Sequence, residues 1–107
     1  MPVGKEVDSS DFENEVTGAD CPVVVDFWAP DCAPCLMIEP VLTSVGSKYE
    51  GSVKIVSVNV QKSRDLALRF GVRSIPTLLF FSGDRVVAQA IGNVGEKEIL
   101  SKLSLII

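Results

Sequence analysis

The 107-residue sequence predicts a three-layer α/β fold, with a mixed central sheet of about five strands and helices on both faces. Two patterns carry this prediction. Stretches rich in β-branched residues alternate with stretches of helical periodicity over the first two thirds of the chain. Two apolar runs joined by a short polar turn then precede a last helical stretch, giving the order βα, βα, βα, ββα. With 47% apolar and 22% charged residues, a chain of this length buries roughly two thirds of its unfolded surface, enough for one domain over 1–107 without disulfide staples.

Val3 to Val7 reads as an edge strand, and Ser10-x-x-Glu13 as a capping box opening a helix that carries Phe12 and Val16. Val23 to Trp28 is apolar on both alternate sets of positions except at Asp26, which predicts a central strand covered on both faces. Pro34, Ile38, Val41, Leu42 and Val45 then follow a helical stripe running to Gly46 or Lys48, with a bend expected at Pro40. Val53 to Val60 alternates apolar and polar and is rich in valine, so it is the next strand, parallel to the first through a right-handed crossover. Ser63 is placed to cap a short helix carrying Leu66, Ala67 and Phe70, which Gly71 stops. Thr77–Phe81 and Arg85–Ile91, joined through Ser82, Gly83 and Asp84, form an antiparallel hairpin. A final helix from Glu96 to Leu105 presents Ile99, Leu100, Leu103 and Ile106 on one face.

Charge and composition exclude several functions. The chain carries 14 acidic and 10 basic residues, a net charge of −4, and has no basic block to meet a phosphate backbone or an anionic membrane, so neither nucleic acid nor membrane is expected as a partner. There is no histidine, which removes Ser/His/Asp triads, Cys/His pairs and His-ligated metals. The N-terminal stretch from Met1 to Asp8 lacks the basic and apolar regions of a secretory signal, so a cytoplasmic protein is expected.

Chemistry therefore falls to cysteine and carboxylate side chains. Cys32 and Cys35 have C-x-x-C spacing at the junction of the central strand and the following helix, where free backbone N–H groups and the helix dipole favour a thiolate. Disulfide exchange needs a thiolate to attack and a second thiol to resolve the mixed disulfide, and Pro34 between the two starts the helix and holds the sulfurs close. Asp26 is a carboxylate in an otherwise apolar central strand, where burial favours its neutral form. Cys21, beside Pro22, reads as a partly buried small hydrophobe.

Asp26-Phe27-Trp28-Ala29-Pro30, Cys32-x-Pro34-Cys35, Pro40, Ile75-Pro76-Thr77 and Gly92 together resemble the thioredoxin family, in order and over nearly the whole chain. The resemblance implies a thioredoxin-like fold, a redox-active Cys32–Cys35 disulfide, and reduction of protein disulfides without a bound cofactor or metal. It makes Cys32 the nucleophile, Cys35 the resolving thiol, Asp26 the proton carrier for Cys35 and Pro76 a cis-proline. Ile75 would pair with the substrate backbone, and Trp28, Asp31, Ala33, Pro34, Ile91 and Gly92 would line the substrate surface. The implied partners are client proteins with disulfides and a thioredoxin reductase or equivalent electron donor, met by a monomer.

The chain also departs from the family's pattern. Asp31 stands where a tryptophan is usual, Ala33 where a glycine is, and Leu36 where a lysine is. Ser57 and Gln61 take the places of a lysine and an aspartate. Two other readings are a redox-inert adaptor with a structural Cys32–Cys35 bond, and a zinc site, which would need ligands from a second chain because this one offers three cysteines.

Overall fold

The structure, a computed structural model, describes residues 3–107, so Met1 and Pro2 of the expected 1–107 domain lie outside it. Its strands are β1 (Lys5–Glu6), β2 (Val23–Trp28), β3 (Lys54–Asn59), β4 (Thr77–Ser82) and β5 (Arg85–Ile91), and its helices are α1 (Ala33–Lys48), α2 (Arg64–Arg69) and α3 (Glu96–Leu103). The sheet order is β1-β3-β2-β4-β5, which puts β2 in the centre. It pairs in parallel with β3 and antiparallel with β4.

All six residues of β2 are buried, as its double-sided apolar pattern requires. Val23, Val25 and Phe27 face one core with Phe12, Val16, Val58, Leu66 and Phe81. Val24 faces the other, formed with Ile38, Leu42 and Val45 of α1 and Ile99 and Leu103 of α3. Because side chains alternate along a strand, Asp26 and Trp28 point to this second side, under α1. The first core is aromatic. Phe70 lies 5.3 Å from Phe12 and 5.5 Å from Phe81, the latter edge-on, and the Arg69 guanidinium stacks 4.8 Å from the Phe70 ring.

Several boundaries differ from expectation. The edge strand expected over Val3–Val7 is ladder-paired only at Lys5 and Glu6, opposite Val56 and Ser57. The capping box does not form: the Ser10 N–H, which a capping box would give to the Glu13 carboxylate, donates instead to Asp8 Oδ1 at 2.9 Å, and the Ser10 hydroxyl donates to the same oxygen at 2.5 Å. A single π-helical turn, Glu13–Thr17, takes the helix's place and buries Val16. Ser63 occupies the N-cap position of α2, yet its side chain makes no capping bond. The last helix ends at Leu103 rather than Leu105, with Ile106 still buried and Leu105 exposed. In the hairpin, β4 extends to Ser82, so the turn is the pair Gly83–Asp84, with Gly83 at φ +63° where a two-residue turn reserves a place for glycine. Pro40 lies within α1, which continues through it.

Candidate active site

The two cysteines meet where β2 hands the chain to α1. A turn through Pro30 and Asp31 brings the N–H of Cys32 to the carbonyl of Ala29 at 3.3 Å, and Cys32 takes the N-cap position of α1 with extended backbone. Its Sγ occupies the place that a serine or aspartate oxygen usually fills and accepts the N–H of Cys35 at 3.2 Å. The two residues form a disulfide with Cα atoms 5.2 Å apart. After reduction the same N–H and the positive end of the helix dipole stabilise a thiolate on Cys32. Cys35 is fully buried, whereas Cys32 is partly exposed.

Across from the disulfide, the Ile75–Pro76 peptide bond is cis, in agreement with the resemblance. Cys32 Sγ lies 3.8 Å from the Ile75 carbonyl oxygen. Thr77 fixes this loop by donating its hydroxyl to the Ser74 carbonyl, and the Gly92 N–H donates to the Pro76 carbonyl at 2.8 Å. Gly92 has φ +89° with open space where a Cβ would stand, so backbone conformation, not room, favours glycine. Ile91, which pairs with Thr77, is 54% exposed. Ala33 and Pro34 are exposed on the first turn of α1, so Pro34 belongs to the open face rather than to the buried stripe. Trp28 is buried beneath, with no hydrogen-bond partner for Nε1 among the described residues.

Sequence reasoning missed two contributors to the open face: Leu36 and Met37, exposed by 47% and 62%. Asn93 Nδ2 lies 4.0 Å from Met37 Sδ and links α1 to the loop after β5. Their signal is present in the sequence, since both fall off the buried stripe of Ile38, Leu42 and Val45.

Asp26 is 1% exposed, and neither of its carboxylate oxygens has a hydrogen-bond partner among the described residues. Burial, reinforced by the negative charge of Glu39 on α1, pushes its pKa up to about 7. Ser57 lies beside it in the parallel ladder, fully buried and also without a partner for Oγ among the described residues. Glu39 was not anticipated from sequence, because its effect depends on α1 crossing above β2. Asp31, exposed at the edge of the site, accepts a hydrogen bond from Gln61 Nε2 at 3.0 Å.

Two surface clefts, one of about 280 Å³ bounded by Val3, Thr43 and Glu50 and one of about 240 Å³ beside Cys21 and Gly83, contain none of these residues. Exchange with a folded protein needs an accessible sulfur on an open face, not an enclosed cavity, so the clefts do not compete with Cys32 as the place of chemistry.

The family model for thioredoxin matches residues 3–104. The chain belongs to the thioredoxin family. It is 44% identical over 94 residues to Thioredoxin 1 of Nostoc sp., covering 88% of each chain. It is 43% identical over 93 residues to the thioredoxin of Haemophilus influenzae, covering 87% of each. With Thioredoxin C-2 of Corynebacterium nephridii the identity is 48% over 81 residues, 76% of this chain and 75% of that one. As a thioredoxin-family chain with a disulfide between Cys32 and Cys35, it is a disulfide oxidoreductase that reduces protein disulfides by thiol–disulfide exchange. The redox-inert adaptor reading is not favoured. No helix among the described residues is long and apolar enough to cross a membrane.

Proposed function

We propose that Cys32 is the attacking thiolate, Cys35 the resolving thiol and Asp26 the proton carrier in this exchange. The observation that carries the assignment is the unequal exposure of one disulfide: Cys32 is accessible and accepts a helix N–H, while Cys35 is sealed beneath it. In the first step the Cys32 thiolate attacks one sulfur of a client disulfide, forming a mixed disulfide and releasing one client thiolate. In the second, Cys35 gives its proton to the Asp26 carboxylate and attacks the Cys32 sulfur. This forms the Cys32–Cys35 disulfide and releases the second client thiolate. Two electrons pass to the client, and the proton held by Asp26 leaves to solvent. A group with a pKa of about 7 is suited to both halves of that transfer near neutral pH.

The client's backbone lies along Ile75 and cis-Pro76, over a surface formed by Ala33, Pro34, Ile91 and Gly92 with Asp31 at its rim and the buried Trp28 supporting it from beneath. The sequence carries no nicotinamide or flavin motif, so a separate reductase protein supplies the electrons and the chain acts as a monomeric, single-domain cytoplasmic electron carrier without bound cofactor or metal. The test mixes the pre-reduced chain with a protein holding one disulfide. Two client thiols should appear for each Cys32–Cys35 disulfide formed; thiols appearing without that disulfide contradict the proposal.

A further inference from the structure

We propose that Gln61 is a positioning residue that aims Asp31 at incoming clients, so that the site selects disulfides flanked by a cationic side chain. The inference rests on the groove assigned under Proposed function and adds the chemistry of what it prefers.

Asp31 directly precedes the exposed cysteine and is itself exposed. Among the described residues its hydrogen bond comes from Gln61 Nε2, at 3.0 Å, and it has no ion pair. The distinction matters. A lysine or arginine at that distance would fix the carboxylate and cancel its charge, whereas a neutral amide fixes it and leaves the charge for a partner. Gln61 is itself held in place. Its backbone N–H donates to Asn59 Oδ1 at 2.9 Å, and Asn59 is a buried residue at the end of β3. The carboxylate is therefore linked, through one exposed side chain whose backbone is anchored, to the end of the central sheet.

No lysine or arginine among the described residues forms an ion pair with Asp31. Leu36, Met37 and Ile91, on the α1 and β5 sides of the site, are exposed and apolar. Lys62, next to Gln61, is paired with Glu6 at 3.9 Å. A client strand crossing Cys32 therefore meets apolar surface on one side and, on the other, a carboxylate that has no ion pair among the described residues. A lysine or arginine beside the attacked cysteine gains from this arrangement, and a glutamate is repelled, which discriminates between clients by attraction and by repulsion together.

The test uses the pre-reduced full chain and two peptides, each closed by one disulfide and identical except for Lys or Glu next to one cysteine. Single-turnover rates are compared at low and high salt. The parent should reduce the Lys peptide about tenfold faster than the Glu peptide at low ionic strength, given charges roughly 6 Å apart in water, with the ratio shrinking at 0.5 M salt, a condition of about a 4 Å screening length. Asp31→Asn should bring the ratio close to one, and Gln61→Ala, which frees the carboxylate, should lower it and weaken its salt dependence. Asp84→Asn, an equal change of net charge on the distant hairpin turn, should leave the ratio at the parent value. A parent with no preference, or an Asp31→Asn chain that keeps the parent's preference, overturns the proposal. Reduction of neither peptide by the parent contradicts the exchange function itself and is distinguished from those results by the missing turnover.

Discussion

Asp26 and Ser57 stand side by side in the parallel pairing of β2 and β3, both buried, and none of their side-chain oxygens has a hydrogen-bond partner among the described residues. A carboxylate and a hydroxyl left in this state beneath a helix cost stability, and burial raises the carboxyl pKa to about 7. The unfolded chain releases this proton near pH 3.8, whereas the folded chain holds it to about 7. Between those pH values the unfolded state binds fewer protons, so stability falls as pH rises.

Replacing Asp26 by alanine should therefore stabilise the oxidised protein near and above neutral pH while slowing client reduction. The gain is largest above pH 7, roughly 4 kcal/mol, and its pH-dependent part vanishes below about pH 4. Urea unfolding of both proteins at pH 4 and pH 8 measures it. An equal change at the two pH values contradicts burial of an ionisable group at this position.

Ser57 offers Asp26 no positive charge, so supplying one should change the sign of that result. In a Ser57→Lys background, the ammonium beside Asp26 favours the carboxylate, and Asp26→Ala should then destabilise at pH 8 or leave stability unchanged. The coupling between the two positions should reach about 1 to 3 kcal/mol in a double-mutant cycle. The same stabilisation by Asp26→Ala in both backgrounds would mean that the lysine turns away from the carboxylate.

Asp31 also acts on its neighbour. Its negative charge opposes a thiolate on Cys32, and at roughly 6 Å in water the repulsion is about 0.7 kcal/mol. Asp31→Asn should accordingly speed alkylation of reduced Cys32 at pH 6 about threefold, and it should make the dithiol less reducing because the thiolate form is better stabilised. Unchanged or slower alkylation contradicts a through-space effect of the carboxylate.

Much of this site is legible in the amino-acid sequence. The double-sided apolar pattern of Val23–Trp28 locates the central strand and hence the buried carboxylate, and the C-x-x-C spacing locates the strand-to-helix junction. Local capping rules fare worse, for a physical reason. Ser10 has the spacing of a helix cap, but Asp8, two residues before it, accepts the backbone N–H that a capping box would give to Glu13. The Gln61 to Asp31 bond and the influence of Glu39 join residues far apart in the chain, and no periodicity encodes such contacts. The cis geometry before Pro76 is likewise invisible to composition and follows from family resemblance alone.

Trapping the mixed disulfide tests the division of labour between the cysteines most directly. Reduced Cys35→Ser protein, mixed with a client holding one disulfide, should attack it through Cys32 and remain covalently attached, because nothing resolves the bond. Mass spectrometry should find the adduct on Cys32, reversible by dithiothreitol, while Cys32→Ser protein should form no such adduct and turn over no client. An adduct on Cys35 in Cys32→Ser protein at the parent's rate of attack, or sustained turnover by Cys35→Ser protein, would contradict the assignment of Cys32 as nucleophile and Cys35 as resolving thiol.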